Sequence, residues 1–191
     1  MAQTYVAAHL YTDEAIARAV RCGVRSLEHC NLITEETARA AAAAGCMACP
    51  TLVTYEALKE EGAALGLGPE SVAKIDTVRV AGLHSLEVMQ RAGLSMAFGT
   101  DLLGPMHRHQ SEEFLIRRRV LPAMEVIRSA TVHAARLLRM EGQIGCVAEG
   151  ALADLIVVDG DPLGDLALLT RQGAHLSLIM QGGRVFKNRL G

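Results

Sequence analysis

Three short apolar runs in this sequence each end in a side chain that can bind a metal ion. The runs end at His9, at His29 and, in the segment Phe98–Asp101, at Asp101. A helix-like segment follows each run, so the runs are predicted to be parallel strands whose carboxyl ends emerge at the same edge of a sheet. The pattern therefore predicts a functional site built from strand ends.

Strand-like and helix-like segments alternate up to Asp101. The predicted strands cover 5–8, 24–28, 46–51 and 94–98, and the predicted helices cover 12–21, 34–44 and 69–92. Thr12 and Thr34 are candidate amino-terminal caps of the first two helices. The segment 52–68, which contains several glycines, is expected to form an irregular active-site loop. These segments make four βα units, so the predicted fold class is α/β. In a TIM barrel, which is built from such units, the active site lies at the carboxyl ends of the strands.

The chain changes character after Asp101. The next expected elements are a polar loop over 102–110 and helices over 111–119 and 122–138. From Gly142 onward, short apolar runs and glycine turns predict strands and a hairpin at Gly182 and Gly183. The sequence is therefore expected to divide into an α/β region, residues 1–141, and a small β region, residues 142–191.

Composition narrows the class of protein. With 191 residues, 50% of them hydrophobic, and a formal net charge of -2, the chain is expected to be soluble and globular. It has no apolar stretch of about 18 residues and no signal-like amino terminus, so a cytoplasmic location without a membrane partner is expected. Five scattered cysteines favour a reducing compartment. The single basic run Arg117–Arg119 and an aromatic content of 3% argue against a nucleic-acid partner.

Several segments together resemble the amidohydrolase superfamily. They are Val6–His9, Ser26–His29, Pro50–Leu52, Phe98–Asp101, Ala130–Ala135, Ile144–Gly145, Glu149–Val157 and Asp161–Pro162. The most specific are the Gly-Thr-Asp strand end and the Gly-x-x-Ala-Asp-Leu pattern from Gly150 to Leu155. The resemblance covers essentially the whole chain, and it is greatest to imidazolonepropionase-like and Xaa-Pro or Xaa-Arg dipeptidase-like members.

This resemblance implies a fold and a set of site residues. The fold would be the carboxyl-terminal half of a TIM-like (β/α)8 barrel, from the fifth to the eighth strand, with residues 142–191 forming a β-sandwich segment. In the family, histidines of the fifth and sixth strands bind a divalent metal, and an aspartate of the eighth strand binds it and shuttles a proton. His9, His29 and Asp101 take these roles by resemblance.

The expected cofactor is a divalent metal, with zinc as the first choice from the ligand types and one or two ions in the complete enzyme. The expected partner is a small-molecule substrate. Tyr11 follows His9 by two residues and is the candidate for holding the carbonyl or carboxylate of that substrate. Asp101 is also the candidate general acid and base.

The sequence departs from the family pattern at the beginning of the barrel. The family's His-x-His pair on the first strand is missing, as is the lysine on the fourth strand of binuclear members, because the chain starts at what would be the fifth strand. We therefore expect the carboxyl-terminal half of an enzyme. A truncated reading frame, a partial sequence, a fragment and a subunit of a split enzyme all stay open, and the exposed strand edges predict pairing with a missing half or a homo-oligomer.

Two short motifs resemble metal-binding patterns but are interpreted differently. The segment His107–His109 spells His-x-His, but it follows Asp101 and is interpreted as a surface or substrate-facing loop, with a surrogate ligand as the alternative. The segment Cys46–Cys49 spells Cys-x-x-Cys, but side chains three apart on a strand face opposite ways, so buried core cysteines are expected.

Two functional classes remain open on the sequence alone. The first is a metal-dependent hydrolase of carbon–nitrogen bonds that acts on dipeptides, N-acyl amino acids or cyclic amides. The second is a catalytically incomplete fragment, or a self-associating half-barrel, without activity on its own.

Overall fold

The first sheet of the protein is parallel and carries the predicted strand ends. The computed structural model describes residues 4–191, except for the side chain of Val72. The sheet has the order β1-β2-β3, formed by β1 (Ala7–Thr12), β2 (Ser26–Leu32) and β3 (Met47–Cys49). Both pairings are parallel. The carboxyl ends of the strands therefore meet at one edge, as the sequence predicted.

The fourth predicted strand, 94–98, is reduced to a single bridge between Ala48 and Met96. Its backbone continues along β3 for only a short distance, with Ala97 N–H donating to Ala48 C=O at 2.8 Å. The next amide, that of Phe98, instead donates to Ser129 C=O at 3.0 Å. Because the Phe98 amide is bonded to a residue of the helix Ala123–Ala130, it cannot extend the pairing with β3.

Helices cover the parallel sheet. They are α1 (Asp13–Arg21), α2 (Glu35–Ala43), α3 (Val53–Glu61) and α4 (Pro69–Arg91). Thr12 and Thr34 cap α1 and α2 through their side-chain oxygens, as predicted. The core between the sheet and these helices contains Ile16, Leu27, Leu86 and Met89, each fully buried.

The prediction of an irregular loop over 52–68 was wrong, because α3 occupies most of that segment. The first amides of α3 are capped by a distant carboxylate. Glu113 Oε2 accepts hydrogen bonds from Leu52 N–H at 3.0 Å and Val53 N–H at 2.7 Å. Since that cap lies about sixty residues further along the chain, local sequence carries no capping signal for this helix.

The remaining elements follow Asp101. They are a 3₁₀ segment (Gly104–Glu112), α5 (Glu113–Arg118), α6 (Ala123–Ala130), α7 (Val132–Leu137), β4 (Leu155–Val158), short 3₁₀ turns (Leu166–Leu169 and Arg171–Gly173), β5 (Leu176–Gln181) and β6 (Arg184–Asn188). The last three strands form an antiparallel sheet in the order β4-β5-β6. Gly182 and Gly183 form its hairpin turn with φ of 54° and 78°, where glycine avoids strain. The fold is mixed α/β.

None of the helices within residues 4–191 has both the length and the apolar character needed to cross a membrane.

Candidate active site

His9 and His29 face each other from neighbouring parallel strands. His9 Nδ1 lies 2.8 Å from His29 Nε2. His29 and Cys30 both have positive φ, 71° and 58°, and the register between β1 and β2 shifts at this point. A bulge of this kind redirects a side chain at a strand end. Here it lies at the position where the His29 ring contacts the His9 ring.

The second ring nitrogen of His29 is held by Thr51, directly after β3. His29 Nδ1 lies 2.7 Å from Thr51 Oγ1, and both side chains are buried. When Nδ1–H donates to the hydroxyl, Nε2 keeps its lone pair toward His9. A partner that fixes the second nitrogen in this way orients a metal-binding histidine and selects its tautomer.

The electrostatic surroundings favour the neutral form of His29. Burial lowers the pKa of His29, the neighbouring His9 lowers it further, and the charges of Asp101 and Glu28 only partly oppose these effects. A neutral imidazole is the form that binds metal. His29 therefore has the protonation state that a ligand needs.

Asp101 lies near this pair, in a bend after the fourth apolar run. Its φ is 50°, and its backbone C=O accepts a hydrogen bond from Thr54 Oγ1 at 3.0 Å. Its charge acts on His29, whose pKa it works to raise. Over residues 4–191, however, no group of three or more His, Cys, Asp or Glu side chains is spaced to hold an ion. The structure thus brings His9 and His29 into contact and leaves Asp101 beside them.

The donor chemistry of these residues fits a divalent ion such as zinc, which takes imidazole nitrogen and carboxylate oxygen. Two nitrogens bound to one tetrahedral zinc at about 2.1 Å each are about 3.4 Å apart. His9 Nδ1 and His29 Nε2 are 2.8 Å apart. A modest separation of the rings would therefore let both nitrogens bind one ion.

Tyr11 packs against both histidines. Its ring stacks on that of His29 with centroids 5.1 Å apart and planes 4° from parallel, and it meets His9 edge-on at 4.8 Å. The candidate for substrate binding is thus part of the same cluster of side chains.

Tyr55, which is not among the predicted site residues, joins the cluster from α3. Its buried hydroxyl donates a hydrogen bond to Tyr11 Oη at 3.1 Å. The apolar residues Val53 and Ala57, four apart and both buried, are the available signal that this segment is a helix with an inward face. Because the segment 52–68 was predicted to be a loop, Tyr55 was not predicted to contact Tyr11.

A buried ion pair between Glu113 and Arg117 holds the backbone next to the candidate site. Arg117 Nε donates to Glu113 Oε1 at 2.7 Å, and neither side chain is exposed to solvent. The other guanidinium nitrogens donate to Pro50 C=O at 2.6 Å and Ala97 C=O at 3.0 Å. Pro50 precedes Thr51, and Ala97 lies on the run that leads to Asp101. The pair therefore fixes the backbone of both segments, the one that leads to Thr51 and the one that leads to Asp101.

The His-x-His segment lies in the 3₁₀ element and not at a strand end. His109 Nε2 lies 2.8 Å from Glu61 Oε1, and His109 Nδ1 lies 3.0 Å from Glu112 Oε1. Hydrogen bonds first to Glu112 and then to Glu61 raise the pKa of His109. With carboxylates on both ring nitrogens, His109 has no free lone pair for a metal, which favours the surface interpretation over a surrogate ligand.

The expectation that the Cys-x-x-Cys segment supplies buried core cysteines holds for Cys46 and only in part for Cys49. Cys46 is buried against Val24, and Cys49 is partly buried beside the sheet. Burial raises the pKa of Cys49 to about 12, so the thiol stays protonated. Neither cysteine is activated as a nucleophile.

Comparison with known proteins identifies a family and several similar structures. A model of the amidohydrolase family matches residues 1–185. The chain is similar to an amidohydrolase of known crystal structure, with 56% identity and a TM-score of 0.96 over 99% of this chain and 46% of that one. It is similar to a prolidase complexed with N-methylphosphonate-L-proline, with 51% identity and a TM-score of 0.94 over 98% and 46% of the two chains.

A curated relative extends the comparison. Ochratoxinase from Aspergillus niger is 27% identical over 183 residues, which are 95% of this chain and 38% of that protein. The chain therefore spans less than half of the length of each of these proteins.

Proposed function

Because the chain belongs to the amidohydrolase family, we propose that it is part of a metal-dependent hydrolase that cleaves carbon–nitrogen bonds. The observation that carries this proposal is the pair of imidazoles, His9 and His29, at the carboxyl ends of adjacent parallel strands, with Thr51 holding the second nitrogen of His29. Two nitrogens in this position, with a carboxylate nearby, provide the donors that a hydrolytic metal site uses.

The proposed architecture is the carboxyl-terminal half of a (β/α)8 barrel followed by a segment of a β-sandwich. Two observations support it. The parallel neighbours β1, β2, β3 and the run around Met96 follow one another in chain order, as successive barrel strands do. The chain also covers 46% of the similar prolidase. On this proposal, β1, β2, β3 and the Met96 run are the fifth to eighth strands.

In this proposal His9, His29 and Asp101 hold a divalent ion, with zinc as the first choice. A zinc ion held there would polarise the scissile carbonyl and lower the pKa of a bound water to about 7. Thr51 would orient His29 as a ligand, and the buried pair of Glu113 and Arg117 holds the backbone before Thr51 through the bond from Arg117 to Pro50 C=O.

Asp101 is the proposed proton carrier. It accepts a proton from the attacking water while the water oxygen bonds to the amide carbon, and it then passes this proton to the leaving nitrogen as the carbon–nitrogen bond breaks. General acid and base transfers of this kind contribute about 100-fold to 10,000-fold in rate. The exposed position of Asp101 at the end of its run leaves its carboxylate accessible to substrate.

The proposed substrates are dipeptides or N-acyl amino acids, with cyclic amides as the wider class. Tyr11 supports this choice, because it presents a phenol beside the two histidines, where it can donate to the carboxylate or carbonyl of a small substrate. The N-methylphosphonate-L-proline in the structure of the similar prolidase also carries a carboxylate, on the carbon attached to the nitrogen that bears the phosphonate. A proline dipeptide is therefore a natural first substrate to assay.

One observation supports the alternative of a fragment that is inactive alone. In the described residues β1 pairs only with β2, so its other edge is free, and Val6 beside it is 59% exposed. A free edge next to an apolar side chain favours pairing with another chain. Under this alternative the site is completed only when that edge is covered.

The deciding experiment is a hydrolysis assay of the purified chain, reconstituted with zinc, on a panel of dipeptides and N-acyl amino acids. Release of the free amino acid by the parent chain, its loss in Asp101→Asn and its retention in Asp76→Asn would support the hydrolase. Asp76 is a matched control because its carboxylate pairs with Lys59 and Arg79 on the protein surface. Absence of turnover with every member of the panel would favour the fragment.

A further inference from the structure

We propose that Tyr55 is a positioning residue that directs the hydroxyl proton of Tyr11 toward the carboxylate of the substrate. The inference rests on the proposed function, because it specifies how Tyr11 recognises the class of substrate named above. It also gives a role to α3, the helix that carries Tyr55.

The surroundings of the Tyr55 hydroxyl are fixed by buried groups. The hydroxyl lies 3.1 Å from Tyr11 Oη and 3.4 Å from Asn31 Oδ1. The amide nitrogen of Asn31 donates to Val78 C=O on α4 at 2.9 Å. Since that bond uses the nitrogen, the amide oxygen of Asn31 faces Tyr55 and can only accept. Asn31 thus behaves as a fixed acceptor on the far side of the hydroxyl.

Of its two possible acceptors, Tyr11 Oη at 3.1 Å is nearer than Asn31 Oδ1 at 3.4 Å, so we assign the single proton of the Tyr55 hydroxyl to the bond with Tyr11. A phenol oxygen that accepts one hydrogen bond keeps its own proton for a second partner. Tyr11 is only partly buried, so that second partner comes from the open side of the site. The inward contact from Tyr55 therefore makes Tyr11 an outward donor.

The pattern of interactions around Tyr55 agrees with this direction. Burial raises the pKa of Tyr55 most strongly, and the hydrogen bond to Tyr11 raises it further, as expected when Tyr55 is the donor. The Thr51 hydroxyl lowers it, as expected when Tyr55 accepts from Thr51. Thr51 also contacts His29 Nδ1. The directions of these effects agree with the geometry, in which the Tyr55 hydroxyl lies nearer to Tyr11 Oη than to Asn31 Oδ1.

The ring of Tyr11 has little freedom of its own. It lies flat on His29, with planes 4° from parallel, and against the edge of His9. Rotation of the hydroxyl about its bond to the ring is therefore the main freedom left, and the bond from Tyr55 removes it. A carboxylate is the acceptor that gains most from a donor fixed in advance, because hydrogen bonds to charged groups are stronger than those between neutral groups.

The opposite direction has an opposite consequence. If Tyr11 donated inward to Tyr55, it would present only lone pairs to the substrate and would repel a carboxylate. Removing the Tyr55 hydroxyl would then free the Tyr11 proton and tighten the binding of a carboxylate ligand. The sign of the effect therefore distinguishes the two directions.

The test is titration calorimetry of the zinc-loaded chain with two ligands. One is N-methylphosphonate-L-proline, and the other is its pyrrolidine counterpart, which lacks the carboxylate. We expect Tyr11→Phe to weaken binding of the first ligand by about 10-fold to 100-fold and Tyr55→Phe by about 3-fold to 10-fold. Binding of the second ligand should change by less than about 2-fold in either variant, because neither hydroxyl has a charged partner there.

Two further variants make the test specific. Tyr5→Phe is the matched control, since Tyr5 donates its hydroxyl bond to Leu137 C=O, away from the site. It should leave both affinities unchanged. The double variant Tyr11→Phe, Tyr55→Phe should bind the first ligand no more weakly than Tyr11→Phe alone, because Tyr55 acts through Tyr11.

Each other outcome overturns a defined statement. Equal losses for both ligands in Tyr55→Phe would mean that Tyr55 only packs, and tighter binding of the carboxylate ligand would mean that Tyr11 donates inward. No change would remove the role altogether. In all three cases the proposed function would stand. Failure of the parent chain to bind either ligand would instead overturn the proposed function, and the inference with it.

Discussion

Two pairs of histidines in this protein show how surroundings decide what a histidine can do. In the strand-end pair, His9 and His29, the nitrogens of the buried His29 ring face a hydroxyl and a second imidazole, and burial lowers the pKa of His29. In the loop pair, His107 and His109, the ring of His109 lies between two carboxylates, and its pKa is raised. The same side chain is therefore kept neutral in one place and favoured as a cation in the other.

This difference separates a candidate ligand from a structural cation. Metal binding needs a free lone pair on a neutral imidazole. Nε2 of His29 faces a second imidazole, which can itself bind the ion, whereas both nitrogens of His109 face the carboxylates of Glu61 and Glu112. The loop pair has the His-x-His motif that is usually associated with metal binding. The strand-end pair has the surroundings that metal binding needs, a buried imidazole kept neutral.

The largest effect should come from the buried pair that supports the strand ends. Arg117→Met leaves Glu113 buried without its partner and frees two backbone carbonyls, so we expect a loss of about 3–5 kcal/mol in the free energy of unfolding. Urea denaturation measures it. Arg128→Met is the control, because the pair of Arg128 and Glu125 is exposed and should contribute less than about 1 kcal/mol. Similar losses in the two variants would contradict the role of the buried pair.

A smaller effect should separate the two histidine pairs directly. Thr51→Val removes the group that orients His29 without touching a ligand, and loss of such a supporting partner weakens metal affinity by about 10-fold to 100-fold. Glu112→Gln removes the comparable partner of His109 and should leave zinc affinity unchanged. Competition with a chelator of known affinity measures both. An unchanged affinity in Thr51→Val would show that the tautomer of His29 is fixed by something else.

The smallest effect should be a pH dependence that belongs to the loop pair. Because the pKa of His109 is raised in the folded state, its pairing stabilises the fold fully below about pH 6.5, the ordinary value for histidine. That contribution is lost as pH rises through the higher folded value. His109→Gln should therefore reduce stability on the acidic side and leave it unchanged at alkaline pH, as followed by thermal unfolding across this range. A loss that grows with pH would contradict this assignment.

The parts of the fold that local sequence specifies were predictable. Thr12 and Thr34 cap their helices through their own side chains, and Pro69 opens α4. In these cases the residue and its effect lie within a few positions of each other. The mixed α/β class and the membership of the amidohydrolase family are likewise confirmed.

The parts that depend on distant partners were not predictable in this way. Helix α3 begins on the carboxylate of Glu113, and the run around Met96 gives its next hydrogen bond to Ser129. Tyr55 was missed for the same reason, since its role depends on a helix whose cap lies far along the chain. His9, His29, Asp101 and Tyr11 remain predicted site residues, to be tested by substitution.

The most direct test of the account is the zinc content of the purified chain after dialysis against metal-free buffer, measured for the parent, His29→Ala and His109→Ala. We predict about one zinc per chain in the parent and in His109→Ala, and none in His29→Ala, because His9 and His29 bring two imidazole nitrogens together with no carboxylate on either ring. Zinc retained in His29→Ala, or lost in His109→Ala, would contradict the assignment of the metal to the strand ends.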